Sequence, residues 1–166
     1  PKPIILELGC AYGGPVAELR RRDRIAFGLD LNSRAIAEGR AFGNAFLFDV
    51  PPTDFPGILG ITADVIYSYH MLEHVRDLRA YLISLHDVLS DGGVALFQGF
   101  NNWDWFAFPD HLHMLSPTSA AALVEACGFE LVGLQSNACG ENSESIAAWL
   151  PKAAPQTIAE EAVAIE

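Results

Sequence analysis

Lysine is almost absent: Lys2 and Lys152 are the only two in 166 residues. Ten cations in all face 21 acids, leaving a net charge of −11 at neutral pH. A surface that negative repels phosphate backbones, so no nucleic-acid partner is expected. The one basic cluster, Arg20, Arg21, Arg22 and Arg24, falls where a first helix should end, and cations there are favoured by the helix dipole. Cysteine is scarce too. Cys10, Cys127 and Cys139 are odd in number, widely spaced and without CxxC spacing, which points to buried or incidental thiols in a reducing compartment. No apolar run nears the ~20 residues of a membrane span, and no basic leader with a cleavage site opens the chain. A cytoplasmic protein with no membrane partner is therefore expected.

What is present describes a globular chain: 51% hydrophobic residues and 19% charged, enough for one well-filled core. Short apolar runs at Ile4–Leu8, Ile25–Asp30, Ala45–Asp49, Asp64–Ser68, Val94–Gly99, Phe129–Gln135 and Glu144–Leu150 read as strands. Helices are expected between them: from Pro15 to about residue 22, from Asn32 or Ser33 to Arg40, from about Asp77 to Leu89, and from Ser116-Pro117 to Cys127. "VPPTDFPG" and residues 100–115 read as loops, and "SDGG" as a helix stop. Strands alternating with helices give an α/β fold, a parallel sheet covered on both faces. The domain is expected over 1–151, with 152–166 as a C-terminal tail. A strand by residue 4 and no initial Met point to a piece of a longer chain, lacking N-terminal elements.

Ligands of such sheets bind beyond the carboxyl ends of the strands. "ILELGCAYGG", residues 5–14, puts Glu7 at a strand end, followed by Gly9, Ala11, Gly13 and Gly14. Small residues there let a ligand lie against backbone near a helix N-terminus. Two ligands compete for this loop. A loose GxGxxG (Gly9, Ala11, Gly14) fits a nicotinamide or flavin dinucleotide. A carboxylate two residues before Gly9 instead repels a pyrophosphate and attracts the ammonium of an amino-acid moiety, as in S-adenosylmethionine. Asp30 ends the second strand, where an acid accepts ribose hydroxyls, and Asp49 ends the third, beside an adenine amino group.

With these motifs the chain resembles the class I S-adenosylmethionine-dependent methyltransferases, in particular the small-molecule type with "LEHV" after the fourth strand. "ILELGCAYGG", "FGLDLN", "FLFDV", "ADVIYSYHMLEHVRD", "LHDVLSDGGVALFQGF" and "HLHMLSPTSAAALVEACGFELVGL" match that family's motifs in order. The resemblance implies a Rossmann-like, doubly wound, mostly parallel sheet of seven strands, order 3-2-1-4-5-7-6. It implies S-adenosyl-L-methionine as cofactor, with Glu7, Gly9, Cys10, Ala11 and Gly13 along its methionine part. Asp30 and Leu31 would hold the ribose, Asp49 and Val50 flank the adenine, and Ser68, Tyr69 and His70 lie below the methyl donor. Ala11 stands where glycine is commoner, which is tolerable if its φ stays negative. N-terminal lid helices, usual over the substrate, would be missing.

The expected reaction is methyl transfer to a small molecule, with O-methylation slightly favoured. His70 and His74, at the mouth of the fourth strand, are the candidate bases. Trp103 and Trp105, with Phe106 and Phe108, and His111 and His113 are the expected walls of a substrate pocket. "HMLEH" matches the HxxEH metalloprotease pattern but straddles a strand-to-helix turn, so no protease and no metal is expected. Some relatives carry ExxEH here and bind a divalent metal. By that resemblance Glu73 and His74 would hold one, completed by His111 or His113, although His70 replaces the first glutamate. Two other functions stay open: a non-catalytic cofactor-binding module or partner subunit, and a NAD(P)-dependent oxidoreductase. A homodimer, or a further domain, is compatible with all three.

Overall fold

The fold is taken from a computed structural model that describes residues 1–100, 109–138 and 144–151, with backbone only at 100, 135–138 and 144–151. The tail 152–166, Trp103, Trp105, Phe106 and Phe108 lie outside the described residues.

β1 (Ile4–Leu8) runs parallel to β2 (Ile25–Leu29) on one side and to β4 (Ala63–Tyr69) on the other. β3 (Leu47–Phe48) flanks β2, and β5 (Leu89–Phe100) flanks β4, both parallel. β7 (Glu144–Pro151) pairs antiparallel with β5 and with β6 (Gly133–Ala138), so the order across the sheet is β3-β2-β1-β4-β5-β7-β6. Among the described residues, five helices connect the strands: α1 (Gly14–Arg21), α2 (Ser33–Ala41), α3 (Phe55–Leu59), α4 (Leu78–Ser84) and α5 (Pro117–Ala126).

Alternate residues of β1 feed two apolar clusters on opposite faces. Leu6 and Leu8 join Ile66, Leu82, Leu85 and Phe97, while Ile5 packs with Val16, Ala26, Ile36 and Leu47. Burial on both faces is why this strand reads as an unbroken apolar run, with Glu7 the exception. Helix starts follow local chemistry: side chains of Asn32, Asp77 and Ser116 accept from the amides of Ala35, Ala80 and Ser119. Arg40 donates twice to the Leu47 carbonyl, capping part of the sheet's outer edge.

Several boundaries differ from the sequence expectation. "VPPTDFPG" is no open loop: Pro52–Asp54 forms a 3-10 turn running into α3, because Phe55 inserts into the core and its ring meets Phe27 at 5.7 Å. α4 stops at Ser84 rather than at Leu89. Leu85–Val88 turns, the Val88 carbonyl accepts from Ala63, and Leu89 already pairs as a strand. "SDGG" thus lies within β5, beside a register shift between Ala63 and Val65. The sixth strand starts at Gly133, not Phe129, whose ring instead stacks on His86 at 4.3 Å. Among the described residues, no helix is long and apolar enough to cross a membrane.

An acidic cofactor mouth and a histidine cluster

The turn after β1 is tied down by backbone bonds. Gly9 and Cys10 amides both donate to the Leu29 carbonyl, and Gly13 donates to Cys10. Gly9 and Gly13 each adopt φ +73, a conformation that favours glycine. Their small size serves the protein's own packing. A Cβ at Gly13 would stand 2.4 Å from Leu47 Cδ2 and 2.6 Å from Asn44 Nδ2, and one at Gly9 would stand 2.8 Å from Met71 Cγ. Of the glycines in this turn, Gly14 has open space where a Cβ would stand. Beside any ligand, then, the absent side chains leave room for Leu47 of β3, for Asn44 just before it and for Met71 after β4. Asn44 holds the turn through a bond to the Gly13 carbonyl at 2.7 Å. Sequence reasoning missed it, since one polar residue before a short strand carries no distinctive signal.

Ala11 departs from expectation as well. Its φ is +46, left-handed rather than negative, and its amide donates to Asp30 Oδ2 at 2.8 Å. Asp30 Oδ1 accepts from the Asn32 amide at 2.8 Å, so one carboxylate clamps the first turn to the start of α2. Each carboxylate oxygen can accept twice, and both retain capacity for a hydroxyl donor. Cys10 does not line the mouth with its side chain. The thiol is 3% exposed, packs in the core against Gly28, and has its pKa pushed to about 12 by burial, then by the charges of Glu7 and Asp30. Only its backbone faces the turn.

Glu7 is the unusual group. It is 5% exposed, and its Oε2 has no hydrogen-bond partner among the described residues. Burial lifts its pKa from 4.5 to about 7; the Val16 backbone opposes this and the Asp30 charge adds to it. An orphaned carboxylate oxygen with a second carboxylate nearby fits a ligand that brings a cation and hydroxyls, and does not fit a diphosphate. The arginines of α1 do not offset this charge. Arg20 donates to the Ala26 carbonyl and lies over the Phe46 ring, while Arg21 and Arg22 both pair with Glu18. Farther along the mouth, Leu31 is 72% exposed, Asp49 is exposed and Val50 half-buried. The exposed Tyr12, in the first turn, was not singled out from sequence.

β4 ends in the second half of the site. Ser68 is buried, and its hydroxyl donates to the Leu8 carbonyl at 3.1 Å, so its side chain ties β1 to β4 instead of facing a ligand. Tyr69 is exposed, its ring against that of His70 at 4.1 Å. His70 has φ +50 and donates its amide to the Gln98 carbonyl, while its Nδ1 pairs with Glu73 Oε1 at 3.2 Å. A 3-10 turn, Leu72–His74, follows, so "HMLEH" begins just past the end of β4 and runs into this turn rather than along one long helix. Glu73 is 4% exposed, with Oε2 unpartnered among the described residues. His74 Nδ1 donates to the Asp110 carbonyl at 3.0 Å.

Residues 110–113 fold back onto this turn. Leu112 and His113 amides donate to the Glu73 carbonyl, and His113 Nε2 donates to the Val75 carbonyl at 2.7 Å. His113 is thus a clamp, though it also borders an apolar cleft with Leu72, Phe97, Leu115 and Val124. His111 meets His74, ring centroids 5.0 Å apart. One ligating atom each of Glu73, His74 and His111 lies within 4.8 Å of the others.

Residues 1–134 match the sequence profile of a family described as a methyltransferase domain. No curated protein sequence matches the chain significantly. Solved structures share the fold at low identity. A SAM-dependent methyltransferase from Methanosarcina mazei is 17% identical over 92% of this chain and 93% of its own, with a TM-score of 0.74. N-methyltransferase NodS from Bradyrhizobium japonicum WM9 is 17% identical over 92% and 86%, TM-score 0.70. The [4+2]-cyclase SpnF is 13% identical over 93% and 76%, TM-score 0.72.

Proposed function

Because the chain belongs to the methyltransferase domain family, we propose that it transfers a methyl group from S-adenosyl-L-methionine to a small-molecule acceptor, O-methylation being favoured. The observation that carries this reading is Glu7, a buried carboxylate with an orphaned oxygen at the mouth of an acidic turn. It accepts from the cofactor's ammonium, Asp30 accepts from the ribose hydroxyls, and the Gly9–Gly13 backbone lies along the methionine part. Leu31 and Val50 give apolar contact, and Asp49 accepts from the adenine amino group.

The bound cofactor supplies an electrophilic sulfonium methyl. Displacement at that carbon depends on position, so the residues beyond β4 matter through where they hold the acceptor. Tyr69 and His70 lie there, and His70, fixed by Glu73, takes the proton of an acceptor that must lose one. His111 and His113 border the acceptor side. Two buried free thiols, Cys10 and Cys127, suit a reducing cytoplasmic setting.

A second reading is a cofactor-binding module without methyl transfer, favoured by the fold's likeness to a cyclase. A NAD(P)-dependent oxidoreductase fits less well, since its diphosphate would lie beside Glu7 and Asp30. Calorimetry with S-adenosylmethionine, S-adenosylhomocysteine and NAD tests the proposal: the first two bind and NAD does not. NAD binding in place of both overturns it. Cofactor binding without turnover on a panel of hydroxyl, amine and carbon acceptors favours the module.

A further inference from the structure

We infer that the apolar cleft bordered by the turn after β4 binds a small aliphatic amine, its ammonium on Glu73 and its hydrocarbon end between β5, α4 and α5. Leu72, Leu82, Phe97, Leu115, Leu123 and Val124 line this cleft with hydrocarbon. Glu73 and His113 are the polar side chains on its lining. His113 commits its Nε2 hydrogen to the Val75 carbonyl, so the ligand's polar end has a carboxylate to meet and must itself be a donor.

Glu73 carries the first half of the argument. It is 4% exposed, Oε1 pairs with His70 Nδ1 at 3.2 Å, and Oε2 has no partner among the described residues. No described lysine or arginine pairs with either oxygen. A carboxylate buried without its full set of donors costs free energy, and a ligand ammonium brings both hydrogens and charge.

Gly99 carries the second half. It lies inside β5, where glycine weakens a strand, and its φ is not left-handed. Among the described residues, a Cβ there would come within 4 Å of one atom, Glu73 Oε2, at 3.3 Å. Neither backbone conformation nor core packing therefore asks for glycine. Keeping the approach to that oxygen open does. A ligand reaches Oε2 with a small turn of the carboxylate about its last torsion, which is soft.

The cavity offers about 40 Å³ to the centre of a water-sized sphere, against the ~10–15 Å³ that one water needs. That suits a short chain of a few carbons. An alcohol supplies one hydrogen and no charge, whereas an ammonium supplies three hydrogens and a cation. An anionic ligand would be repelled by Glu73. Taking this amine as the group that anchors the methyl acceptor rests on the methyltransferase reading. Through Oε1 the same carboxylate holds His70, the base of that reading.

The test is calorimetry on the whole chain at neutral pH, with a chelator present, using isopentylamine, isopentyl alcohol and isovalerate. One equivalent of the amine should bind at about 1 mM or tighter, within reach of a ligand of roughly six non-hydrogen atoms. The alcohol should bind at least about 10-fold more weakly, and isovalerate not at all. Glu73→Gln, and Gly99→Ala with its new methyl group beside Oε2, should each weaken the amine by about 10-fold or more. Gly99→Ala should keep wild-type circular dichroism and S-adenosylhomocysteine affinity. No saturable amine binding, equal affinity for amine and alcohol, or unchanged amine affinity in Gly99→Ala overturns the site. Amine binding without any S-adenosylhomocysteine affinity keeps the site and overturns the methyltransferase reading.

Discussion

Replacing Glu7 with glutamine removes a charge that the free chain pays to bury and that a cofactor ammonium would welcome. Burial places the Glu7 pKa at about 7 against an ordinary 4.5. A raised carboxyl pKa means the folded chain holds a proton that the unfolded chain has lost between those values. Stability of the ligand-free chain therefore falls as pH rises from 4.5 towards 7, by about 3 kcal/mol at 1.36 kcal/mol per unit. An ammonium beside Glu7 reverses the preference and drives the proton off. If Glu7 is fully ionised in the complex, affinity for S-adenosylhomocysteine rises about 15-fold between about pH 5.5 and pH 7 and then levels. Glu7→Gln should flatten that dependence and weaken binding by about 10- to 100-fold above pH 7, through loss of a charge-assisted hydrogen bond. Calorimetry across this range, on both proteins, reads both effects. A flat profile for the wild type, or the same slope in Glu7→Gln, refutes the electrostatic account of the mouth.

Asp30→Ala should lower cofactor affinity by about 1–3 kcal/mol, since it removes the acceptor for the ribose and releases the Ala11 and Asn32 amides; calorimetry with S-adenosylhomocysteine checks it. Gly13→Ala should destabilise the chain by about 1–3 kcal/mol, because the new Cβ meets Leu47 and Asn44 at a left-handed φ. Gly14→Ala, in open space at the start of α1, should change thermal stability little. Equal melting temperatures for these two variants would contradict the packing argument. Ala11→Gly should stabilise by up to about 1 kcal/mol, relief at φ +46 outweighing the added chain entropy of glycine; a denaturant titration measures the difference.

Much of this protein is legible locally. Short apolar runs alternating with capped helical segments announce an α/β sheet, and the caps Asn32, Asp77 and Ser116 act where their chemistry predicts. Acids at the tips of β1 and β2 are visible as sequence features too. Such signals depend on near neighbours along the chain, which is why they survive without a structure. Where β5 begins was not legible: Leu85, Val88 and Leu89 satisfy a helical period, yet burial against β4 makes the last of them a strand residue. Nor did the sequence reveal why the turn after β1 needs glycine, because the atoms that fill its space belong to Leu47, Asn44 and Met71. Glu7 could be named but not its orphaned oxygen, since burial is a property of the packed sheet. The approach of His111 to Glu73 and His74 is the extreme case. Asp110 and His74 are 36 residues apart, and no periodicity or spacing encodes a contact that only the return of the chain onto the end of β4 creates.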